Sequence, residues 1–218
     1  LADGETILEN VAKEPEVVFL ANVLNQCGAK IKGHGTDLLI IQGVQSLKPI
    51  NCRILPDRIE TGTYMVASAI TSGDIKIVNC IPQQVEALTT KLRQAGLIVE
   101  EDETSLRVVS DGQFNGVNIK TQPYPGFATD LQAQFMALMA LAKGQSIILE
   151  TVFENRFMHA AELKRMGADI TIQGRTAVVG GVKELSGAPL MATDLRASAS
   201  LVLAALAAKG KSIISRVY

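Results

Sequence analysis

The sequence contains no tryptophan, and aromatic residues make up only 4% of it. A surface that stacks on single-stranded bases needs exposed rings, so this scarcity argues against such a partner. Neither sign of charge is in excess: 21 Lys and Arg stand against 22 Asp and Glu, a formal net charge of −1. Without a basic excess there is little to release counterions from phosphates, which excludes a broad nucleic-acid footprint. Long apolar runs are missing too. The most apolar stretches, 135–142 and 201–208, are eight residues each, whereas a membrane-spanning helix needs about 20. No membrane partner is expected.

Metal-ligating residues are scarce. There are two histidines, His34 and His159, far apart in the chain. No local cluster surrounds either of them, so neither a metal nor another cofactor is expected. The three cysteines, Cys27, Cys52 and Cys80, are odd in number and form no CxxC pair. They read as reduced, buried small hydrophobes, which points to a cytoplasmic setting. What the chain does have is apolar mass. Hydrophobic residues make up 47% of 218 positions. That excludes intrinsic disorder and suits one large domain or two smaller ones.

The chain also has an internal repeat, the first feature to seek in any sequence. Gly4, Gly73, Gly144 and Gly210 each open a similar strand, at spacings of 69, 71 and 66 residues. In the first three copies another glycine follows 23 or 24 residues later: Gly28, Gly96 and Gly167. The first glycine of each pair is expected to end a helix in the left-handed conformation. A strand follows, such as 147–151, and then a second helix runs to the second glycine. In 85–92 the apolar positions 85, 88 and 92 recur at helical spacing and mark a buried face. Two strands close the unit, 169–173 and 176–180 in the third copy, around a Gly174-Arg175 turn. Further helices, 57–72, 129–143 and 193–209, precede the repeat glycines and are apolar nearly all round, which places them inside. Thr129 and Gln132 fit a capping box at one start, and Thr193-Asp194-Leu195 copies Thr129-Asp130-Leu131. The expected fold class is α/β, built from repeated βαβαββ units with helices inside and strands outside.

Four runs carry a resemblance to a known family: Leu55–Gly62, Thr129–Phe135, Phe153–His159 and Met191–Ser198. In order and over essentially the whole chain, they resemble the UDP-N-acetylglucosamine 1-carboxyvinyltransferases, which are enolpyruvyl transferases. The resemblance implies two domains, each an inside-out α/β prism of three repeats. Residues 1–56 would be the last repeat of one domain. Residues 57–218 would be most of the other, catalytic-side domain, ending within its last repeat. It further implies an addition–elimination reaction between phosphoenolpyruvate and the 3-hydroxyl of UDP-N-acetylglucosamine, with phosphate released. This is the first committed step of peptidoglycan synthesis, tied to cell shape and division and blocked by fosfomycin. Members of the family are about twice this length. The implied partners are the two substrates and the missing N-terminal half, which carries a Lys-Asn pair and the reactive cysteine loop. None of Cys27, Cys52 and Cys80 matches that loop, and a late phosphate-binding arginine is also lacking. Leu1 and Tyr218 then read as cut points, and the chain alone is expected to be inactive.

Such chemistry needs a base, an acid and cations that hold carboxylate and phosphate. Asp130 is the first candidate for the base and, by the resemblance, a ligand of the sugar hydroxyl. At a helix start it could equally be a cap, a place where the helix dipole favours a carboxylate by about 0.3–1 kcal/mol. Val152 matches a position whose main chain contacts the nucleotide-sugar, although by itself it reads as a strand-end core residue. Arg196 (catalytic) and Arg156 (substrate-binding) are candidates to grip anionic oxygens through bidentate forks. The plainer alternative is an ion pair with Glu154 or Asp194. Asp194 repeats the Asp130 position and is a candidate to orient a catalytic group, or again a cap. His159 is expected to be satisfied or exposed rather than catalytic. Gly33-His34-Gly35 reads as a turn, 100–103 as a solvated hairpin tip, and 111–127 as a cleft-facing loop. Two other readings stay open: a non-catalytic α/β repeat module that only binds, and a transferase like 5-enolpyruvylshikimate-3-phosphate synthase.

Overall fold

The computed structural model describes residues 2–192 and 194–217. Thr193, expected beside Asp194 at a helix start, lies outside the described residues, as do Leu1 and Tyr218. The chain divides into two compact units, Leu1–Pro56 with Pro123–Pro125, and Asp57–Gln122 with Gly126–Tyr218.

The smaller unit contains β1 (Glu5–Glu9), α1 (Pro15–Gln26), β2 (Lys30–Lys32) and β3 (Leu38–Gln42). Pro15 opens α1 with its φ already set for a helix. The strands form an antiparallel sheet in the order β1-β3-β2. Ala21, Ile31 and Leu39 make its small core. Asn25 ties helix to strand, donating to the Ile31 carbonyl and accepting from the Ile31 amide, both at 2.8 Å. Gly33-His34-Gly35 lies in the β2–β3 turn, as expected.

The larger unit begins with α2 (Arg58–Ile70), β4 (Asp74–Val78), α3 (Glu86–Gln94), β5 (Ile98–Glu101) and β6 (Ser105–Val109). Then come β7 (Ile119–Lys120), α4 (Gln132–Met139), β8 (Gln145–Leu149), α5 (Met158–Arg165), β9 (Asp169–Gln173) and β10 (Thr176–Gly180). It ends with β11 (Pro189–Met191), α6 (Leu195–Ala207) and β12 (Ile213–Ser215). Helices α2, α4 and α6 pack against one another. Every residue of α4 is buried. The sheets β4-β6-β5, β7-β8-β10-β9 and β11-β12 flank these helices. In each of the two full copies the first strand pairs antiparallel with the third, and the third with the second.

The hairpin at 169–180 has its expected bounds, with Gln173 opposite Thr176 around Gly174-Arg175. The strand expected at 147–151 sits two residues earlier. Of the tip expected at 100–103, Asp102 and Glu103 lie between β5 and β6, while Glu100 and Glu101 belong to β5. The 111–127 connection contains β7, which pairs parallel with β8. Two expectations fail. The inner helices stop three or more residues before the repeat glycine, and in the second copy Ser72, not Gly73, takes the left-handed conformation. Of the cysteines only Cys80 is a buried hydrophobe; Cys27 is half-buried and Cys52 exposed, all with free thiols. Cys27 sits at the C-terminal cap of α1, and Cys52 lies in an irregular segment.

Each closing strand locks back onto its own unit. Gly43 donates to the Gly4 carbonyl, Ser110 to Gly73 and Gly181 to Gly144, at 2.8, 2.9 and 2.9 Å. A Cβ on Gly181 would stand 1.6 Å from the Ala142 carbonyl oxygen. A Cβ on Gly174, where φ is +57°, would meet nothing within 4 Å. Gly181→Ala is therefore expected to cost about 3 kcal/mol or more, because backbone must move. Gly174→Ala is expected to cost only about 1–2 kcal/mol, the left-handed penalty. Urea midpoints of the two variants check the order; equal losses would contradict the backbone lock.

Candidate active site

Four of the expected residues converge at the N-terminal ends of α4 and α6. The chain enters α4 through a 3₁₀ turn, Thr129–Leu131, and no side chain caps either element. The expected capping box is absent. The Thr129 hydroxyl instead donates to Glu150 Oε2 at 2.8 Å. Gln132 is buried, and its side-chain nitrogen and oxygen meet no partner among the described residues.

Asp130 does not cap and so keeps both oxygens for other groups. Oδ1 accepts from Arg156 Nη2 at 2.7 Å, and Oδ2 from Arg196 Nη2 at 3.1 Å. The Asp130 side chain is 35% exposed, against 18% for Arg156 and 27% for Arg196. The ion-pair partners expected for the arginines are therefore corrected. Glu154 pairs with Arg175 at 2.7 Å. Asp194 sits in the capping role: its Oδ1 accepts from the amides of Arg196 and Ala197 at 2.8 and 2.9 Å. Asp57 caps α2 in the same way, with bonds of 2.7 and 3.1 Å. By holding the Arg196 amide, Asp194 fixes the helix start from which Arg196 reaches Asp130.

Val152 is exposed, not a core residue, because the chain leaves the sheet at Leu149. Its amide donates to Glu150 Oε1 at 2.8 Å. Arg156 lies over the Phe153 ring, 5.0 Å from its centroid, a contact of cation–π type. Beside these residues a cavity of about 180 Å³ is lined by Glu150, Phe153, Glu154, Arg156 and Arg175 among others. Enclosed ligand pockets run to roughly 300–1,000 Å³, so this cavity is smaller than a typical one.

Glu150 escaped the sequence reading. It is 1% exposed, and its carboxylate gathers four hydrogen bonds. The donors are the hydroxyls of Thr121 and Thr129 and the amides of Val152 and Phe153, at 2.7–3.0 Å. A buried carboxylate is tolerated only when satisfied in this way. A signal was present in the repeat. The residue six after each opening glycine is Asn10, Asn79, Glu150 or Arg216, and only the third copy places an acid there.

Two opposing effects act on Asp130. Burial raises its pKa, but the hydrogen bonds and charges of Arg196 and Arg156 win and hold it below the usual carboxylate range. It is ionised at neutral pH and weakly basic while both arginines grip it. His159 corrects its own expectation. It is 2% exposed, and its Nε2 meets no partner among the described residues. Burial pushes its pKa down to about 4, with Asp194 pulling it up and Arg156 pushing it further down. Among the described residues no cluster of His, Cys, Asp and Glu could hold a metal ion. No helix there is long and apolar enough to cross a membrane.

The whole chain, residues 1–218, matches the family described as EPSP synthase (3-phosphoshikimate 1-carboxyvinyltransferase). The chain belongs to this family. Its curated relatives include UDP-N-acetylglucosamine 1-carboxyvinyltransferases of Geotalea uraniireducens, 58% identical, and Geobacter metallireducens, 59% identical. The Myxococcus xanthus enzyme of the same name is 56% identical. All of this chain is covered in each case, but 52% of the relative. The chain thus spans about half the length of these relatives. Among solved structures, the enolpyruvyl transferase NikO of Streptomyces tendae matches with a TM-score of 0.85 at 28% identity, over 98% of this chain and 51% of that one. An EPSP synthase of Acinetobacter baumannii matches at 0.70 and 20% identity, over 98% and 53%, which shows the fold alone. The expected α/β enolpyruvyl transferase fold is therefore the observed one.

The His159 environment gives a pH dependence with a definite sign. The folded pKa of about 4 lies below the unfolded value. Between the unfolded value, about 6.5, and the folded one, the unfolded chain binds the extra proton, so stability falls as pH falls. The full loss is roughly 3 kcal/mol. Asp130, with its lowered pKa, contributes stability that disappears only below its own, more acidic range. His159→Leu is expected to flatten the decline between pH 6.5 and 4.5 in urea-unfolding series. An unchanged slope would show that His159 is not the group responsible.

Proposed function

We propose that this chain contributes the Asp130 wall of an enolpyruvyl transferase active site. The group moved is the enolpyruvyl unit of phosphoenolpyruvate, and the acceptor is the 3-hydroxyl of UDP-N-acetylglucosamine. The supporting observation is Asp130 itself, a partly exposed carboxylate with one arginine on each oxygen. The names of relatives at 56–59% identity favour the nucleotide-sugar over a shikimate acceptor, whose solved representatives stand at 20%.

In this reading the resting carboxylate waits between its arginines. When the sugar hydroxyl arrives, it displaces one arginine contact. The displaced guanidinium turns to the incoming anionic oxygens, and Asp130, less tightly held, regains the basicity to accept the hydroxyl proton. The sugar oxygen bonds to the central carbon of phosphoenolpyruvate while an acid from the other half of the site protonates the methylene carbon. A methyl proton is then lost as the C–O bond to phosphate breaks, and Arg196 and Arg156 stabilise the charge on the intermediate and the leaving phosphate. Asp194 keeps Arg196 in place, and the Val152 main chain lies along the nucleotide-sugar. The setting that follows is the first committed step of peptidoglycan synthesis, in the cytoplasm, with consequences for cell shape and division and with fosfomycin as inhibitor. No cofactor is required.

The test is made in a full-length protein carrying this sequence, by phosphate release from phosphoenolpyruvate with UDP-N-acetylglucosamine present. Asp130→Asn is expected to lower kcat by about 10²–10⁴-fold, the range of a positioned base, with the fold intact. Near-normal turnover would leave Asp130 a purely structural ion-pair partner. The 218 residues alone are expected to release no phosphate; sustained turnover by them would overturn the division of the site between two halves.

A further inference from the structure

We propose that Glu150 is a positioning residue for Asp130, acting through Thr129 and Arg156. The inference extends the transferase reading in its kinetic part and stands on geometry in the rest. A guanidinium only donates hydrogen bonds. Arg156 Nη1 lies 3.2 Å from Thr129 Oγ1, so the hydroxyl oxygen must accept there. The one proton of Thr129 is then committed elsewhere, and Glu150 Oε2 receives it at 2.8 Å. The other amino group of the same arginine holds Asp130 Oδ1 at 2.7 Å. The polarity of the whole chain, from carboxylate to hydroxyl to guanidinium to carboxylate, is set at the Glu150 end.

Glu150 is also the fixed end. Its Oε1 is held by the Thr121 hydroxyl at 2.7 Å and by the amides of Val152 and Phe153 at 2.8 and 3.0 Å. A carboxylate with that many partners cannot rotate without leaving buried donors unpaired. An independent observation comes from the repeat. The equivalent residues Asn10, Asn79 and Arg216 take left-handed backbone, with φ of 55°, 56° and 58°. Glu150 is not among the residues with positive φ. Among the described residues, this copy's strand end is the one turned by a side chain that binds the amides two and three residues on, and the same side chain reaches the Asp130 turn.

A role limited to filling and satisfying the core is the competing account, and Glu150→Gln separates the two. Glutamine keeps the size and an oxygen for the Oε1 partners. It presents an N–H to Thr129, however, so that hydroxyl faces two donors and its own proton loses its acceptor. The new N–H competes with Arg156 for the two lone pairs of that oxygen, and the grip of Arg156 on Asp130 loosens. Arg196 and Arg156 are the charged groups that act on Asp130.

The experiment follows the Asp130 carboxyl by carbon-13 NMR in full-length protein with labelled aspartate, using Asp130→Asn to assign the signal. In Glu150→Gln the Asp130 titration midpoint is expected to move upward. Thr129→Val should move it likewise, Thr129→Ser should restore it, and the double variant Glu150→Gln/Thr129→Val should move it no further. In the transferase assay, kcat of Glu150→Gln should fall about tenfold, the scale of other orienting partners. KM for UDP-N-acetylglucosamine should change little, and the acid limb of the kcat profile should shift to higher pH. A lower melting temperature with an unmoved Asp130 midpoint and pH profile overturns the proposal. If Glu150→Gln does not fold, an unmoved midpoint in Thr129→Val overturns it as well. If the wild-type protein shows no transfer, the functional reading fails, and the titration still decides the positioning role.

Discussion

Burial of α4 on every side constrains everything around it. A helix with no exposed face offers polar chemistry only at its ends, and the same holds in large part for α2, whereas α6, expected to lie inside, leaves Leu195, Val202 and Leu206 exposed. The N-terminal ends of these helices carry Asp57, Asp130 and Asp194. They are also where unpaired amides and the positive end of the helix dipole favour a carboxylate. The repeat therefore offers three equivalent seats for an acid. Two are occupied by conventional caps, Asp57 and Asp194, each holding two amides. The third differs because the chain enters α4 through a 3₁₀ turn, which takes Asp130 off the amides and leaves its oxygens to the arginines.

Two carboxylates lie at that seat, and they differ in freedom. Glu150 is sealed and saturated, whereas Asp130 remains partly open. Arg156 bridges them through Thr129, and Arg196 arrives from the neighbouring helix start that Asp194 fixes. An ion pair this exposed adds little to stability, commonly about 0–1 kcal/mol. Its worth lies in geometry. One acid and two guanidinium groups are held within hydrogen-bond reach, ready to exchange partners when an anionic ligand arrives.

Much of the fold was legible in the sequence because the repeat imposes it. The hairpin of β9 and β10 could be read to the residue, since alternation on both sides and Gly174-Arg175 leave one register open. The inner helices were recognised by being apolar all round, but their ends were placed too late. A repeat glycine marks where the next strand begins, not where the helix stops, and Ser72 shows that the left-handed residue need not be the glycine. The site was legible only in part. Asp130, Arg156 and Arg196 are legible as candidates and do converge, and the arginines pair with Asp130 rather than with the alternative partners Glu154 and Asp194. Sequence neighbours such as Glu154 and Asp194 compete poorly when the fold brings a distant carboxylate closer. The capping box failed for a related reason: the motif describes local bonding, and the buried Glu150 claimed the Thr129 hydroxyl from 21 positions away.

Glu150 also shows why a repeat should be read for its departures. Asparagine suits the left-handed residue at the end of a strand, because its short side chain tolerates positive φ, and two of the four copies use it. Glutamate has no such advantage there. Its presence in one copy, at a position the fold buries, implies that the local turn is made by other means and that the side chain is needed elsewhere. The structure shows both: two amides bound in place of a left-handed turn, and a hydroxyl held beside the candidate base. A repeat conserves what packing requires, so the copy that breaks its own rule is where selection for packing alone does not account for the residue.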